Sequence, residues 1–139
     1  MYRIPETANA LVLRTDFSDE KAWENLRAVL GQVHHDVFLA NLSYLSDPDL
    51  AGVQPEDIPL LIQPQSRHTF IFLADETTFN HPDMPLLAVD LFDEGTMTFR
   101  SAASSVGCVE NNLSLGNSDF EEFRDTVDAD GIFRFSWPD

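Results

Sequence analysis

The sequence predicts a single α/β domain with a mixed sheet of four to five strands and helices packed against it. Short runs rich in β-branched and aromatic residues indicate the strands, and one apolar stripe at helical spacing indicates a helix between the first two runs. A length of 139 residues with 43% hydrophobic residues is typical of one domain that buries a core. The predicted order is β-α-β-β-β-β-α within one domain over residues 1–139, and residues 1–9 are expected to be loosely ordered.

The predicted sheet is organised around residues 67–75, the densest run of β-branched and aromatic residues in the chain. A short apolar run bounded by polar residues is typical of a strand buried on both faces. Residues 10–16 predict a first strand and residues 36–44 a second one, with a helix between them whose N-cap is Ser18. This order indicates a right-handed crossover and a parallel pair of strands.

The remaining elements follow from turn and capping signals. Short helices are predicted after Asp47 and after Gln54, because a proline at the first helical position with acidic neighbours is a helix-start signal. Residues 85–92 and 96–100 predict two strands whose link is too short for a crossover, which indicates an antiparallel hairpin. Ser118 and Glu121 predict a capping box for a last helix. A short edge strand is possible over residues 132–135.

Several segments resemble a family of small acidic proteins, mainly bacterial, that is known only as a domain of unknown function. The similarity spans roughly residues 10–135, and its most specific part is Glu110-Asn111-Asn112-Leu113-Ser114 before Asp119-Phe120-Glu121-Glu122-Phe123. The other segments that carry it are Leu11-Val12-Leu13-Arg14-Thr15-Asp16-Phe17-Ser18-Asp19, His68-Thr69-Phe70-Ile71-Phe72 and Ala88-Val89-Asp90-Leu91-Phe92-Asp93-Glu94. The resemblance implies one domain, and it implies no activity, cofactor or catalytic residue.

The formal charge of −16 limits the classes of partner. Residues 47–99 carry −9 and residues 110–139 carry −6, so the acidity is not confined to one tail. Such a field repels nucleic acids and anionic membranes and attracts basic proteins or cations. We therefore expect no nucleic acid or membrane partner and consider a basic protein instead, while acidity that serves only solubility remains an alternative.

Cysteine content and the N-terminal sequence bear on the cellular location. Cys108 is the single cysteine, so the chain has no intramolecular disulfide and no cysteine cluster for zinc. The first residues lack the apolar run of a signal peptide, and no stretch approaches the ~20 apolar residues that span a bilayer. We expect a cytoplasmic protein without a cofactor, whose oligomeric state the sequence does not indicate.

Three carboxylates follow predicted strands and are weak candidates for a metal site: Asp16, Asp75 and Asp93. Ligands of open α/β sheets bind beyond the carboxyl ends of the strands, and oxygen ligands suit Mg²⁺ or Ca²⁺. However, no lysine or glycine-rich phosphate loop accompanies them, and acidic residues at strand ends are also common in helix caps and turns. A structural role is the simpler interpretation.

Charged residues within the predicted strands form a second candidate site. A charge in a sheet is costly unless it is paired, so Asp90 is expected to meet an arginine, either Arg14 or Arg100. A polar network could be completed around Asp90 by three consecutive residues, Glu110, Asn111 and Asn112. The pair is either the floor of a binding site or a structural ion pair.

No residue stands in a recognisable catalytic setting. The histidines lack metal-ligand spacing, and Cys108 lies two residues from Glu110 rather than beside a cation. An enzyme is therefore not expected.

The last predicted helix presents an acidic face with Glu121, Glu122 and Asp125, which is either solvated or a docking surface for a basic protein. The leading hypothesis is a non-enzymatic protein-binding module, of an inhibitor or immunity type, for a basic partner. The alternatives are metal or small-molecule binding at the strand-end carboxylates, and a self-associating structural subunit, because eleven Phe are many for one small core.

Overall fold

A computed structural model describes residues 3–36, 38–92 and 97–137. The chain forms one α/β domain whose mixed sheet has six strands in the order β2-β1-β3-β4-β5-β6. The predicted four to five strands are therefore one or two too few, and the short segment near residue 132 does pair with the sheet as a last strand. The strands are β1 Ala10–Arg14, β2 Leu42–Leu45, β3 Phe70–Ala74, β4 Leu86–Asp90, β5 Thr98–Ser101 and β6 Ile132–Phe133.

Strands β1, β2 and β3 are parallel, and helix α1 (Glu20–Leu30) connects the first two. The N-cap of α1 is Asp19, whose side chain accepts a hydrogen bond from the backbone N–H of Ala22, so the prediction of Ser18 is wrong by one residue. The predicted apolar stripe is confirmed, because Trp23, Leu26 and Leu30 are buried.

Strand β2 begins later than predicted. His35 and Asp36 have positive φ angles, and His34 and Phe38 form an isolated bridge, so the chain turns where a strand was expected. Two backbone groups that follow form hydrogen bonds with the helix at residues 106–114. The Leu39 carbonyl accepts one from the Asn111 side chain, and the Asn41 N–H donates one to the Glu110 carboxylate. These backbone groups are therefore not available for pairing with β1.

The segment between β2 and β3 contains the short helices that the proline signals predict. They are two 3₁₀ turns, Pro48–Leu50 and Pro55–Asp57, and the one-turn helix α2, Ile58–Leu61. Strand β3 is buried along its whole length, as predicted for the centre of the sheet. Helix α3 (Glu76–Phe79) follows β3 directly and is capped by Asp75.

Strand β4 is antiparallel to both of its neighbours, β3 and β5, which confirms the predicted hairpin of β4 and β5. After β5 come a 3₁₀ turn (Ala103–Ser105), helix α4 (Val106–Ser114) and helix α5 (Phe120–Arg124). No helix was predicted for residues 106–114. The capping box of α5 is formed by Asp119 and Glu122, so the predicted pair of Ser118 and Glu121 is wrong by one residue.

Helices and turns cover both faces of the sheet. On the first face, α1, α4 and α5 bury side chains that include Trp23, Val109 and Phe123. The second face packs against Ile4, Leu50 and Ile58, from the N-terminal segment and the β2–β3 connection. Ile4 is buried and forms a parallel bridge with Ile62. The loose order expected of residues 1–9 as a whole stays a prediction.

Candidate functional site

A groove of about 1090 Å³ lies at the end of the sheet where β1 and β3 begin and where β4 ends. This position follows from the register, in which Phe70 at the start of β3 pairs with Asp90 at the end of β4. Its walls are the N-terminal segment 6–10, the segment 67–70 and the connection between α4 and α5. Three separate parts of the chain thus meet in one concave surface.

Asp90 contributes a buried carboxylate to this groove. The residue is 5% exposed, and its Oδ1 accepts a hydrogen bond of 3.1 Å from the Phe92 N–H. None of the ion pairs formed within residues 3–36, 38–92 and 97–137 includes Asp90. A buried charge without a counter-ion costs several kcal/mol. Among the described residues, the groove therefore holds a buried carboxylate without an ion-pair partner, which a bound cation would stabilise.

The opposite wall is held in place by a cluster around His68. Its Nε2 lies 3.1 Å from the Thr7 hydroxyl and 3.4 Å from Glu6 Oε1. Glu6 also accepts hydrogen bonds from the Ser66 hydroxyl and the Arg67 N–H, which attaches the N-terminal segment to the start of β3. The carboxylate and the hydroxyl approach the same ring nitrogen, whereas a catalytic triad requires the acid at the other nitrogen. The cluster therefore has the geometry of a structural contact between the N-terminal segment and β3, not that of a catalytic triad.

The rim of the groove combines exposed apolar side chains with carboxylates. Phe92 is 78% exposed and Leu115 is 73% exposed. Among the residues that the structure describes, the acidic side chains that line the groove are Glu6, Asp90, Asp119 and Glu121, against the single arginine Arg67. Large exposed apolar residues beside a charged concave surface are typical of a binding surface. The groove therefore suits a partner that carries both cationic and apolar groups.

The predicted pairing of Asp90 with Arg14 or Arg100 is wrong. Asp90 is level with the first residue of β3 and Arg14 with the last, which places them about 13 Å apart along the strands at ~3.3 Å per residue. Arg100 pairs with Leu87, whose side chain lies on the other face of the sheet from Asp90. Each arginine has a different acidic partner, Glu20 for Arg14 and Asp75 for Arg100, both at 2.8 Å.

Arg14 occupies an aromatic cage on the first face of the sheet. The residue is 3% exposed, and its guanidinium lies 4.4 Å from the centre of the Phe17 ring and 5.4 Å from that of Trp23. Its Nε donates to the Asp16 carbonyl and its Nη1 to Glu20 and the Ser46 hydroxyl. Arg14 therefore fastens α1 to the carboxyl end of β1, away from the groove.

Glu110, Asn111 and Asn112 do not surround Asp90. Glu110 accepts hydrogen bonds from the Asn41 N–H at 2.7 Å, from the Ser114 hydroxyl at 2.6 Å and from Asn111 Nδ2 at 3.2 Å. Asn112 Nδ2 donates to the Cys108 carbonyl one turn earlier in α4. Glu110 and Asn111 hold α4 against the loop before β2, whereas the Asn112 side chain bonds within α4; of these contacts, the one to Ser114 reaches the groove.

The three acidic residues of the last helix separate into different roles. Glu121 lines the groove, Glu122 caps α5 through the Asp119 N–H, and Asp125 lies 3.4 Å from Arg124. All three are exposed. Of the acidic face predicted for docking, Glu121 therefore belongs to the groove.

Two of the three strand-end carboxylates lie in a smaller cleft at the opposite end of the sheet. Asp16 and Asp75 line a space of about 270 Å³ beside Glu76. The Asp16 carboxylate accepts a hydrogen bond from the Ser18 N–H, and the Asp75 carboxylate accepts hydrogen bonds from Arg100 and from the Thr78 N–H. Strand β4 ends at the other end of the sheet, and Asp93 lies outside the described residues. No group of three or more potential ligands in the described part of the chain is arranged to hold a metal ion.

Asp75 and Cys108 are two of the titratable groups outside the groove whose pKa values are perturbed. Burial raises the pKa of Asp75, but the Arg100 guanidinium and the N–H and hydroxyl of Thr78 outweigh that effect, and the net result is a lowered pKa. Burial raises the pKa of the Cys108 thiol, and a hydrogen bond from Asn112 only partly offsets this rise. A raised pKa disfavours the reactive thiolate.

Sequence reasoning missed one wall of the groove. Glu6 and Thr7 were not considered as site residues, because the N-terminal segment has no periodicity that would place it in the fold, and His68 was considered only for metal-ligand spacing, which it lacks. Phe92 offered a usable signal, since it is a large apolar residue directly after a strand and beside acidic residues.

Fold and groove together define a mixed α/β domain with an acidic cleft at one end of its sheet. The chain belongs to the family DUF6924, a domain of unknown function, whose match covers residues 9–136. This match confirms the family resemblance found in the sequence. No curated protein matches the chain. Among the helices that the structure describes, none has the length and apolar content needed to cross a membrane.

Proposed function

We propose that the protein is a binding module for a basic protein partner and that the groove at the end of the sheet is its contact surface. The observation that carries the proposal is the lining of the groove, where the described part of the chain places four carboxylates and one arginine around a concave surface that includes buried Asp90. An acidic concavity attracts cationic partners and raises their rate of association.

The size of the groove supports a polypeptide segment as the bound group. Pockets for small molecules are typically about 300–1,000 Å³, and an open groove of about 1090 Å³ has room for a group at the upper end of that range, such as a short polypeptide segment. The exposed side chains of Phe92 and Leu115 at the rim offer apolar contact area next to the charges. Energetically important contacts in protein interfaces combine buried apolar or aromatic groups with polar partners in this way.

The distribution of phenylalanine favours this hypothesis over self-association. All eleven Phe lie in the described ranges, and Phe92 is the one whose side chain is largely exposed. Nine of the other Phe residues belong to the core or pack against it, and Phe17 packs against the Arg14 guanidinium, so within the described residues no broad phenylalanine surface remains for a second copy. A net charge of −16 also opposes the contact of two identical chains.

The test compares two charge reversals that change the net charge equally. Glu121→Lys places a cation in the groove lining, and Glu24→Lys places one on exposed α1 outside it. The immobilised wild type and both variants are exposed to a lysate of the source cells at about 0.15 M salt, where exposed charges are screened beyond about 8 Å. We expect a basic protein to be retained by the wild type and Glu24→Lys and lost by Glu121→Lys. Equal loss in both variants, or no stoichiometric retention at all, contradicts the proposal.

A further inference from the structure

The groove contains a recognition element more specific than its overall charge. Asp90 is 5% exposed, lines the groove and takes part in no ion pair within the described residues, while one of its oxygens is oriented by the Phe92 N–H. The acidic side chains at the rim, by contrast, are solvated, and exposed charges contribute little binding free energy. Asp90 is therefore the carboxylate of the groove that gains the most stabilisation when a cation binds.

The surroundings of Asp90 favour one kind of cation. Aromatic residues line the same groove, namely Phe70, Phe92 and Phe120. A guanidinium is planar, stacks on aromatic rings and is more weakly hydrated than an ammonium group, so it enters a desolvated aromatic site at lower cost. The protein itself shows this chemistry elsewhere, because the buried Arg14 guanidinium packs over Phe17 and bonds a carboxylate.

We propose that Asp90 recognises an arginine side chain of the partner, which enters the groove and forms a charge-assisted hydrogen bond with its carboxylate. This inference rests on the proposed function for the identity of the partner, but the recognition of a guanidinium by Asp90 can be tested separately. The remaining carboxylates of the groove attract the basic partner, and Asp90 selects the inserted side chain.

The probe is n-butylguanidinium, which reproduces the end of an arginine side chain, with neutral n-butylurea as its matched control. Each is titrated at millimolar concentration into the ¹⁵N-labelled full chain, and the Phe92 amide, which donates to Asp90, is the reporter. We expect the guanidinium to shift this resonance in a saturable way and the urea to leave it in place. We also expect n-butylammonium, the analogue of a lysine side chain, to bind more weakly.

An Asp90→Asn variant tests the role of the charge itself. Because hydrogen bonds to charged groups contribute about 1.5–3 kcal/mol, removal of the charge is expected to weaken n-butylguanidinium binding at least about tenfold. Equal shifts with guanidinium and urea in the wild type overturn the proposal whether or not the variant folds. Unchanged binding in a folded Asp90→Asn variant, or an ammonium that binds as tightly as the guanidinium, also overturns it.

The two proposals fail in different ways. If the lysate yields no basic partner but n-butylguanidinium shifts the Phe92 amide, the function as a protein-binding module is wrong and the guanidinium site stands. If a basic protein is lost from Glu121→Lys but the probe leaves Phe92 unaffected, the groove binds its partner without using Asp90 in this way.

Discussion

The ion pair between Asp75 and Arg100 provides a prediction whose size follows from its geometry. Two hydrogen bonds of 2.8 Å connect the carboxylate and the guanidinium, and the two side chains are 26% and 22% exposed. Asp75 also accepts a hydrogen bond from the Thr78 N–H at the start of α3. The pair thus fastens the end of central strand β3, and the helix after it, to strand β5.

Asp75→Asn removes the charge and retains an oxygen that can cap α3. Hydrogen bonds to charged groups contribute about 1.5–3 kcal/mol, and partial exposure places this pair at the lower end, so we expect a loss of about 2 kcal/mol. Asp75→Ala also loses the cap, which adds about 1 kcal/mol. The free energy of unfolding is measured by urea titration at pH 7, with tryptophan fluorescence as the signal. A loss below about 0.5 kcal/mol for Asp75→Asn would refute the reasoning, since isolated exposed pairs contribute that little.

The pH dependence of the same pair follows from its lowered pKa. Asp75 is held below its ordinary pKa in the folded state, so its stabilising contribution is fully present above the unfolded value of about 3.9 and is lost as the pH falls through the folded pKa. Asp75→Asn cannot titrate at this position. The difference in unfolding free energy between the wild type and Asp75→Asn should therefore shrink on acidification below about pH 4. A difference that stays constant to pH 2 contradicts this assignment.

Three further substitutions test other contacts. Glu110→Ala leaves the Asn41 N–H without its partner and should cost about 3 kcal/mol in urea unfolding, with faster hydrogen exchange at that amide. Gly107→Ala should destabilise by about 1–3 kcal/mol although it lies in a helix, because the new Cβ would be 2.9 Å from the Phe38 Cβ; a stabilised variant contradicts this packing. Arg134→Gln releases three carboxylates and should lower the melting temperature at low salt, with a smaller effect at about 0.5 M salt.

The sequence predicted the centre of the fold because there the pattern and the packing agree. Strand β3 is a short apolar run that is buried on both faces, and the stripe of α1 marks the side that contacts the sheet. Helix α4 was missed because its first four residues, from Val106 to Val109, are all buried. Such a segment shows no polar face, so its spacing does not distinguish a helix from a strand.

The candidate site was predicted in part. Asp90 was singled out because a charge within an apolar strand is costly wherever the strand lies, and the structure shows that the residue is buried. Its partner was predicted wrongly, because strand direction and order decide which charges meet, and neither is visible in a single sequence. The antiparallel β4 places Asp90 at the end of the sheet opposite Arg14, and alternation along β5 places Arg100 on the other face.

The central claim is that the acidity of this protein acts at one groove rather than over the whole surface. The most direct test is an amide chemical-shift map of the ¹⁵N-labelled chain titrated with a nona-arginine peptide at about 0.15 M salt, where diffuse attraction is screened. The account predicts that the shifts cluster at the groove, at Phe92, Leu115 and Glu121. Shifts spread evenly over exposed acidic residues outside the groove, such as Glu24 and Asp128, would contradict it.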